Sequence, residues 1–215
     1  NSSLLLSAAN LKKLVKGQVE FIHQEIPEFD EAEIDYSGLL WHPEFNLDDI
    51  EEDHNYWVFS VDIAEGTGGD FSVINIFQVK MLDKKDWSGV TTPGSFVDFF
   101  GISQVGRFRS NSHTIEEFAK TLYILGFDLF YSENVKLIIE WNMFGGELIK
   151  RMETVFPQRN DFDEESVVKF KHRIDANTKK FGLKVKKDNK PIFCQNFKKY
   201  ITQNKIQIFD KDTVK

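Results

Sequence analysis

The sequence lacks the features that mark several large classes of protein. It has one cysteine, Cys194, which excludes an intramolecular disulfide framework and a zinc site of several cysteines and is typical of a reducing cytoplasm. No run approaches the roughly 20 apolar residues that span a bilayer, and the short run Leu4–Ala9 has no basic residues before it, unlike a signal peptide. No G-x-x-x-x-G-K-[ST] motif occurs, which excludes a P-loop ATPase. The 215 residues, 41% of them hydrophobic, are nevertheless sufficient for one substantial core.

Charge is distributed unevenly along the chain. The formal net charge of −7 by itself disfavours a nucleic-acid partner. Residues Pro27–Asp53, however, contain eleven acids and no Lys or Arg, so the rest of the chain has a net charge of +4. Residues Ser166–Lys215 alone carry fourteen Lys and Arg against four Asp. This asymmetry predicts an acidic peripheral segment on a body whose basic side attracts polyanions, although lysines that only maintain solubility would give the same counts.

Apolar periodicity predicts an α/β protein with a mixed central sheet flanked by helices. An N-terminal helix and an acidic surface connection, residues 1–55, precede the main domain, residues 56–215. The expected elements, in order, are helix Leu11–Ile22, connection Pro27–Asp53, strands Tyr56–Ala64, Phe71–Lys80 and Phe99–Phe108, helix Thr114–Gly126, strand Val135–Ile139, helix Gly145–Met152, strand Val167–Lys171, helix Phe193–Ile201 and strand Ile206–Phe209. Three strands in a meander are thus followed by alternating helices and strands. Thr114 with Glu117 has the spacing of a capping box at the start of its helix.

Two carboxylates lie at the ends of apolar strands. Asp62 lies within Val58–Ala64, and Glu140 follows Lys136–Ile139. A carboxylate is costly to remove from water unless it is paired, so the two acids form one cluster if their strands are neighbours, and Asp70 brings a third from the next strand. The natural partner is Mg²⁺ or Mn²⁺, and two such ions activate water and stabilise the leaving oxygen of a phosphodiester. The alternative is that each acid only caps a strand or pairs with an arginine.

The residues around these acids resemble a known family. Ser60–Ser72 (SVDIAEGTGGDFS) is similar to the first nuclease motif of the large terminase subunit, the DNA-packaging motor of tailed bacteriophages. Ile138–Asn142 (IIEWN), followed by Gly145, resembles the second motif. The opening residues Asn1–Ser7 resemble the junction that leaves the ATPase domain of that motor, and Thr178–Gly182 with Cys194–Ile208 resemble the later part of its nuclease domain.

The resemblance implies an RNase H-like fold that cuts concatemeric double-stranded DNA by a two-metal mechanism with Mg²⁺ or Mn²⁺. It implies Asp62 and Glu140 as catalytic metal ligands, Asp70 as a further metal ligand, and Glu65 and Asn142 as auxiliary residues. Its other implied partners are the ATPase domain of the same polypeptide, the portal protein and the small terminase subunit, in the cytoplasm of the infected host and away from membranes. The basic C-terminal region would contact DNA phosphates through Lys179, Lys180, Lys184, Lys186 and Lys187.

The sequence departs from the family at its C-terminal end. The family has a third essential aspartate in a His-Asp-Asp-like motif beyond the strand that resembles Ile206–Phe209, and no such motif follows here before Lys215. Asp210 and Asp212 lie too early to match it. Because the sequence also begins with Asn1, we expect a fragment that lacks its last catalytic segment, binds metal poorly and shows reduced or no cleavage.

Two other functions are compatible with the sequence. Asp62 with the glycines at 66, 68 and 69 is also similar to the phosphate loop of actin-like ATPases and sugar kinases, which share the core topology. Those proteins need a second lobe and an adenosine-binding glycine pair, and the sequence has neither. The acidic Pro27–Asp53 segment alternatively indicates a non-catalytic docking module for the portal, the ATPase domain or DNA.

Overall fold

The computed structural model describes residues 12, 14–15, 17–51, 56–64, 69–81, 100–130, 134–155, 183 and 185–213. Six strands are present in this part of the chain: β1 (Leu39–Trp41), β2 (Tyr56–Asp62), β3 (Ser72–Met81), β4 (Phe100–Ser110), β5 (Val135–Ile139) and β6 (Ile206–Gln207). The helices are α1 (Pro27–Glu31), α2 (Ile115–Tyr123), α3 (Met143–Val155) and α4 (Lys190–Thr202), with a 3₁₀ helix at Leu47–Glu51 and a π-helix at Ile124–Leu129 that continues α2. No helix of the described ranges is long and apolar enough to cross a bilayer.

The strands form one mixed sheet in the order β1-β4-β3-β2-β5. Strands β2, β3 and β4 are an antiparallel meander, whereas β5 pairs with β2 in parallel, as a crossover through α2 requires. The outer edge of β4 is shared: β1 pairs with residues 106–108, and β6 pairs in parallel with residues 102–103. The predicted meander and mixed sheet are confirmed, while the strand predicted at Val167–Lys171 lies outside the described residues.

One face of the sheet carries the hydrophobic core. Alternate residues of β2, β3 and β4 are buried there against α2 and α3, because successive side chains of a strand point to opposite faces. The ring of Phe130, just after the π-helix, lies 4.8 Å from that of Trp57 and 5.1 Å from that of Phe59 between centroids. The predicted capping box is also present: the Thr114 Oγ1 accepts the Glu117 N–H at 3.2 Å, and the Glu117 carboxylate accepts the Thr114 N–H at 2.8 Å.

Two expectations about the N-terminal part were wrong. The acidic segment is not merely a surface connection, since β1 within it forms part of the sheet, and Leu39 and Trp41 are fully buried. A tryptophan buries enough apolar area to hold a three-residue strand among acids, and buried residues on both sides of residue 55 belong to one hydrophobic cluster. The domain boundary at residue 55 stays a prediction. The helix predicted for Leu11–Ile22 ends at a turn at Gly17, and Val19 and Ile22 instead form single β-bridges.

Candidate functional site

The sheet face opposite the core carries polar residues in two cross-strand rows. The register of β2, β3 and β4 aligns Asp62 with Val73 and Val73 with Arg109. The next row on the same face contains Ser60, Asn75 and Arg107. Because the residues between them, such as Val61, Ile74 and Phe108, face the core, all six belong to the opposite face.

Asp62 and Glu140 meet at the carboxyl ends of β2 and β5. The parallel register pairs Val61 with Ile139, and the Glu140 N–H donates to the Val61 carbonyl at 3.0 Å. Val61 and Ile139 are both buried, so the residue that follows each of them belongs to the polar face. The two strands are therefore neighbours, which is the condition on which the predicted acidic cluster depended.

Glycine at position 145 allows α3 to begin directly beside Glu140. A Cβ at Gly145 would lie 2.0 Å from the Glu140 carbonyl oxygen, whereas at Gly146 the nearest atom, in the Trp141 ring, would be 3.7 Å away. Asn142 caps the same helix, since its Oδ1 accepts the Gly145 N–H at 2.7 Å. The turn from β5 into α3 thus fixes the position of Glu140 through backbone contacts.

A cavity of about 820 Å³ opens beside Asp62 on this face. Three carboxylate residues contribute to its wall, Asp62, Asp70 and Asp212, together with Arg107, Arg109 and Asn142. Glu140 is not among the described residues that line it. The cavity therefore combines acids with two arginines, which suits a ligand that carries negative charge and is accompanied by cations.

The environment of Asp62 makes its ionised form costly. Asp62 keeps substantial solvent exposure, yet partial burial raises the pKa of its carboxyl, and the negative charge of Asp70 raises that pKa further. A bound cation would reverse both effects, because it replaces lost hydration and screens the neighbouring charge. A cation bound at Asp62 would thus stabilise the ionised form of its carboxylate.

Asp212 reaches the cavity through a polar network that residue spacing did not reveal. The Arg107 Nη1 donates to Asp210 Oδ2 at 2.7 Å and to Asp212 Oδ2 at 3.2 Å. Gln104 accepts the backbone N–H groups of Phe209 and Asp210, which holds the segment after β6 against β4. Asp212 lies too soon after the last strand to match the third aspartate of the family motif. No signal in the sequence connects it with Asp62, 150 residues earlier.

The other predicted site residues are placed as follows. Asn142 lines the cavity, but its amide oxygen is engaged in capping α3. Lys186 and Lys187 are exposed before α4 and do not line the cavity. Glu65, Lys179, Lys180 and Lys184 lie outside the described residues. The arginines were missed, although Arg107-Phe108-Arg109, with charges flanking a buried ring, was a signal that could have found them.

The donor atoms of the cavity suit a hard divalent cation, since the carboxylates and amides offer oxygen and no cysteine or histidine contributes to the described wall. Within the described ranges, however, no three Asp, Glu, His or Cys side chains are grouped closely enough to hold an ion. Asp212 is already paired with Arg107. The described residues therefore offer the oxygen ligands that Mg²⁺ or Mn²⁺ prefers, but too few of them lie together to complete a site.

Comparison with known proteins identifies the fold. No family model and no curated protein match the sequence. Among solved structures, the large terminase nuclease of the thermophilic phage G20c with bound magnesium matches 99% of this chain and 77% of its own, at a TM-score of 0.52 and 12% identity. The same nuclease with bound cobalt matches 95% of this chain and 75% of its own, at a TM-score of 0.49 and 11% identity. The chain thus has the fold of a large terminase nuclease, and the RNase H-like prediction is confirmed.

Proposed function

We propose that this chain is the nuclease domain of a phage large terminase and hydrolyses phosphodiester bonds of concatemeric double-stranded DNA with the help of divalent metal ions. The observation that carries the proposal is the parallel pairing of β2 with β5, which brings Asp62 and Glu140 to one edge of a terminase-nuclease fold. The adjoining cavity, with its acids and arginines, supports it. One structural relative, the large terminase nuclease of phage G20c, was solved with magnesium bound, which favours the same class of ion for this chain.

Asp62, Asp70 and Glu140 are the residues that would hold the ions. When bound, the ions would supply Lewis-acid stabilisation of the charge that develops on the phosphate and leaving oxygens. Asp62 contributes a carboxylate whose ionisation is disfavoured by burial and by the charge of Asp70 in the absence of a cation. The α3 N-terminus, capped by Asn142, fixes the backbone that carries Glu140, so the acids are presented by a strand end and a helix start rather than by a long loop.

A basic surface would hold the DNA outside the cavity. Lys186 and Lys187 are exposed at the start of the described part of the C-terminal region, whose sequence is strongly basic. Contacts of lysine with phosphate give affinity without sequence selectivity, as a nuclease that cuts packaged genomes needs. By the same proposal the ATPase domain of the polypeptide, the portal and the small terminase subunit are its partners, in the cytoplasm of the infected host.

Digestion of a supercoiled plasmid tests the proposal. The whole chain is incubated with the plasmid in Mg²⁺, in Mn²⁺ and in EDTA, beside Asp62→Asn, Glu140→Gln and the control Glu116→Gln. Glu116 is an exposed acid of α2 whose ion pair with Lys120 spans 3.5 Å, far from the cavity wall. We expect cutting that depends on the metal ion. Both site variants should lower the cutting rate by more than the ~10- to 100-fold that is typical when an outer-shell partner of a metal ligand is lost. The control should cut as fast as the unaltered chain. Equal cutting by all four proteins would contradict the proposal.

A measurement of nucleotide binding distinguishes the proposed nuclease from the actin-like ATPase alternative. A phosphate loop of that class would bind ATP with Mg²⁺, which a calorimetric titration of the chain detects. We expect no heat of ATP binding and, in the same sample, metal-dependent cutting of DNA. ATP binding without cutting would favour the alternative.

A further inference from the structure

Arg109 is held at the cavity wall by an aromatic ring. The Arg109 Cζ lies 3.6 Å from the centroid of the Phe71 ring, within the range of a cation–π contact. Both residues line the cavity that contains Asp62. The register explains the contact, because Arg109 of β4 is paired with Val73 of β3, and Phe71 lies two residues before Val73 on the diagonal.

The two arginines of the cavity differ in how their charge is used. Arg107 is buried and is paired with Asp210 and Asp212, so its positive charge is balanced by carboxylates of the C-terminal segment. Arg109 is half-buried, and no carboxylate of the described residues lies within 4.0 Å of its guanidinium. A ring stabilises an arginine without neutralising it, so Arg109 keeps a full positive charge in the cavity.

We propose that Arg109, supported by Phe71, binds a backbone phosphate of the DNA strand that enters the Asp62 cavity and acts there as a positioning residue; this inference rests on the proposed nuclease function. Asp62 and Arg109 occupy one cross-strand row, two strand spacings or about 10 Å apart. At that separation Arg109 contacts a phosphate beside the one to be cut. The planar guanidinium binds phosphate through two parallel hydrogen bonds, which fixes the orientation of the strand as well as its position.

The Phe71 ring has a supporting role in this arrangement. Phe71 is 39% exposed, and the guanidinium of Arg109 lies over one face of its ring. Stacking restricts the arginine before DNA arrives, which lowers the entropy lost when the phosphate binds. Arg109 and Phe71 thus recognise the charge of the DNA backbone and not the identity of the bases, as is also proposed for the lysines.

A salt titration of DNA binding tests the inference. Anisotropy of a fluorescein-labelled 25-base-pair duplex is measured in EDTA, so that no cutting occurs, for the unaltered chain, Arg109→Gln, Arg109→Lys, Phe71→Leu and the control Arg151→Gln. Arg151 lies on α3, is paired with Glu147 at 3.4 Å and does not line the cavity.

We expect Arg109→Gln to weaken binding about tenfold and to reduce the slope of log K against log salt by about one, as loss of one phosphate contact predicts. Arg109→Lys keeps the slope but weakens binding about threefold, since a point charge lacks the bidentate geometry. Phe71→Leu does the same, and Arg151→Gln changes neither quantity. Because the substituted side chains are all at least partly exposed, we expect every variant to fold. Melting curves verify this. Affinity and slope unchanged in folded Arg109→Gln would overturn the inference.

Cleavage kinetics separate this inference from the proposed function. With DNA concentration varied in Mn²⁺, Arg109→Gln raises KM by about the factor found in binding, while Asp62→Asn removes kcat. If the unaltered chain never cuts, the proposed nuclease function fails and the inference falls with it, whatever the salt slope. If Asp62→Asn abolishes cutting while Arg109→Gln leaves KM and the salt slope unchanged, only the role of Arg109 is refuted.

Discussion

Arg107 and Asp210 form a buried ion pair, 2.7 Å between Nη1 and Oδ2, that holds the C-terminal segment against β4. Both side chains are more than nine-tenths buried, and the Asp210 carboxylate also accepts the Thr213 N–H at 2.8 Å. Such a pair contributes little net stability when intact, yet each partner depends on the other, because a lone charge cannot remain in that position without cost. The pair therefore controls whether Asp212 stays at the cavity.

Replacing Arg107 by methionine leaves Asp210 buried without its cation. We expect the free energy of unfolding to fall by about 3–5 kcal/mol, the usual cost of breaking a buried pair. Urea denaturation followed by circular dichroism measures it. The double variant Arg107→Met, Asp210→Asn serves as the control, and it must be less destabilised than Arg107→Met alone. A loss of under ~1 kcal/mol in the single variant would contradict the role given to the pair.

Asp62→Asn changes the pH dependence of stability. Because the fold raises the pKa of Asp62, the stability associated with its neutral form is fully present below the unfolded-state pKa and is lost as pH rises through the folded-state pKa. Asparagine cannot ionise, so in EDTA the variant should melt above the unaltered chain at pH 7, and the difference should shrink as pH falls toward 4. Melting curves at several pH values measure the difference. A gap that is the same at every pH would show that ionisation of Asp62 is not its cause.

Divalent ions should stabilise the folded chain through the same carboxylate. An ion that binds only the folded state, present at 100 times its dissociation constant, contributes about 2.7 kcal/mol, or several degrees of melting temperature for a chain of this size. We expect millimolar Mn²⁺ to raise the melting temperature of the unaltered chain and to leave that of Asp62→Asn unchanged. NaCl of equal ionic strength is the control. The same rise in both proteins would place the ions elsewhere.

Two adjacent glycines provide a matched test of the turn beside Glu140. Gly145→Ala forces a methyl group into the Glu140 carbonyl, so we expect a loss of about 1–3 kcal/mol and a parallel loss of plasmid cutting. Gly146→Ala meets nothing closer than 3.7 Å and should be neutral or stabilising by up to about 1 kcal/mol, as alanine is in a helix. Urea denaturation and plasmid digestion compare the two. If both variants behave alike, the close approach at Gly145 does not position Glu140.

The long elements were predictable because their patterns extend over many residues. Strands β2 and β3 combine alternation with β-branched and aromatic residues, and α2 begins with a capping box, so each was located within a few residues. Strand β1 was not, since a three-residue run among eleven acids has no measurable period and depends on the burial of Trp41. The π-helix after α2 was also missed, since the apolar spacing of Thr114–Gly126 predicts a single α-helix.

The site was predictable only where it lies on the regular strands. Asp62 and Glu140 were candidates because an acid that closes an apolar strand is conspicuous, and the condition that their strands are neighbours is met; their catalytic roles stay predictions. Asp212 comes to the cavity through the contact of the last segment with β4, and no local pattern encodes a contact of that range. Arg109 was not predicted for another reason: the role proposed for it depends on the β3–β4 register, which places Phe71 against its guanidinium.

Strand β4 is eleven residues long, and in the part of the chain that the structure describes its outer edge pairs with the three residues of β1 and the two of β6. An uncovered edge of that length presents a row of unpaired N–H and C=O groups to any other chain that can add a strand. The two short strands occupy part of this edge. The docking of residues 206–213 that brings Asp212 to the cavity thus also covers backbone groups of β4 to which another strand could be added.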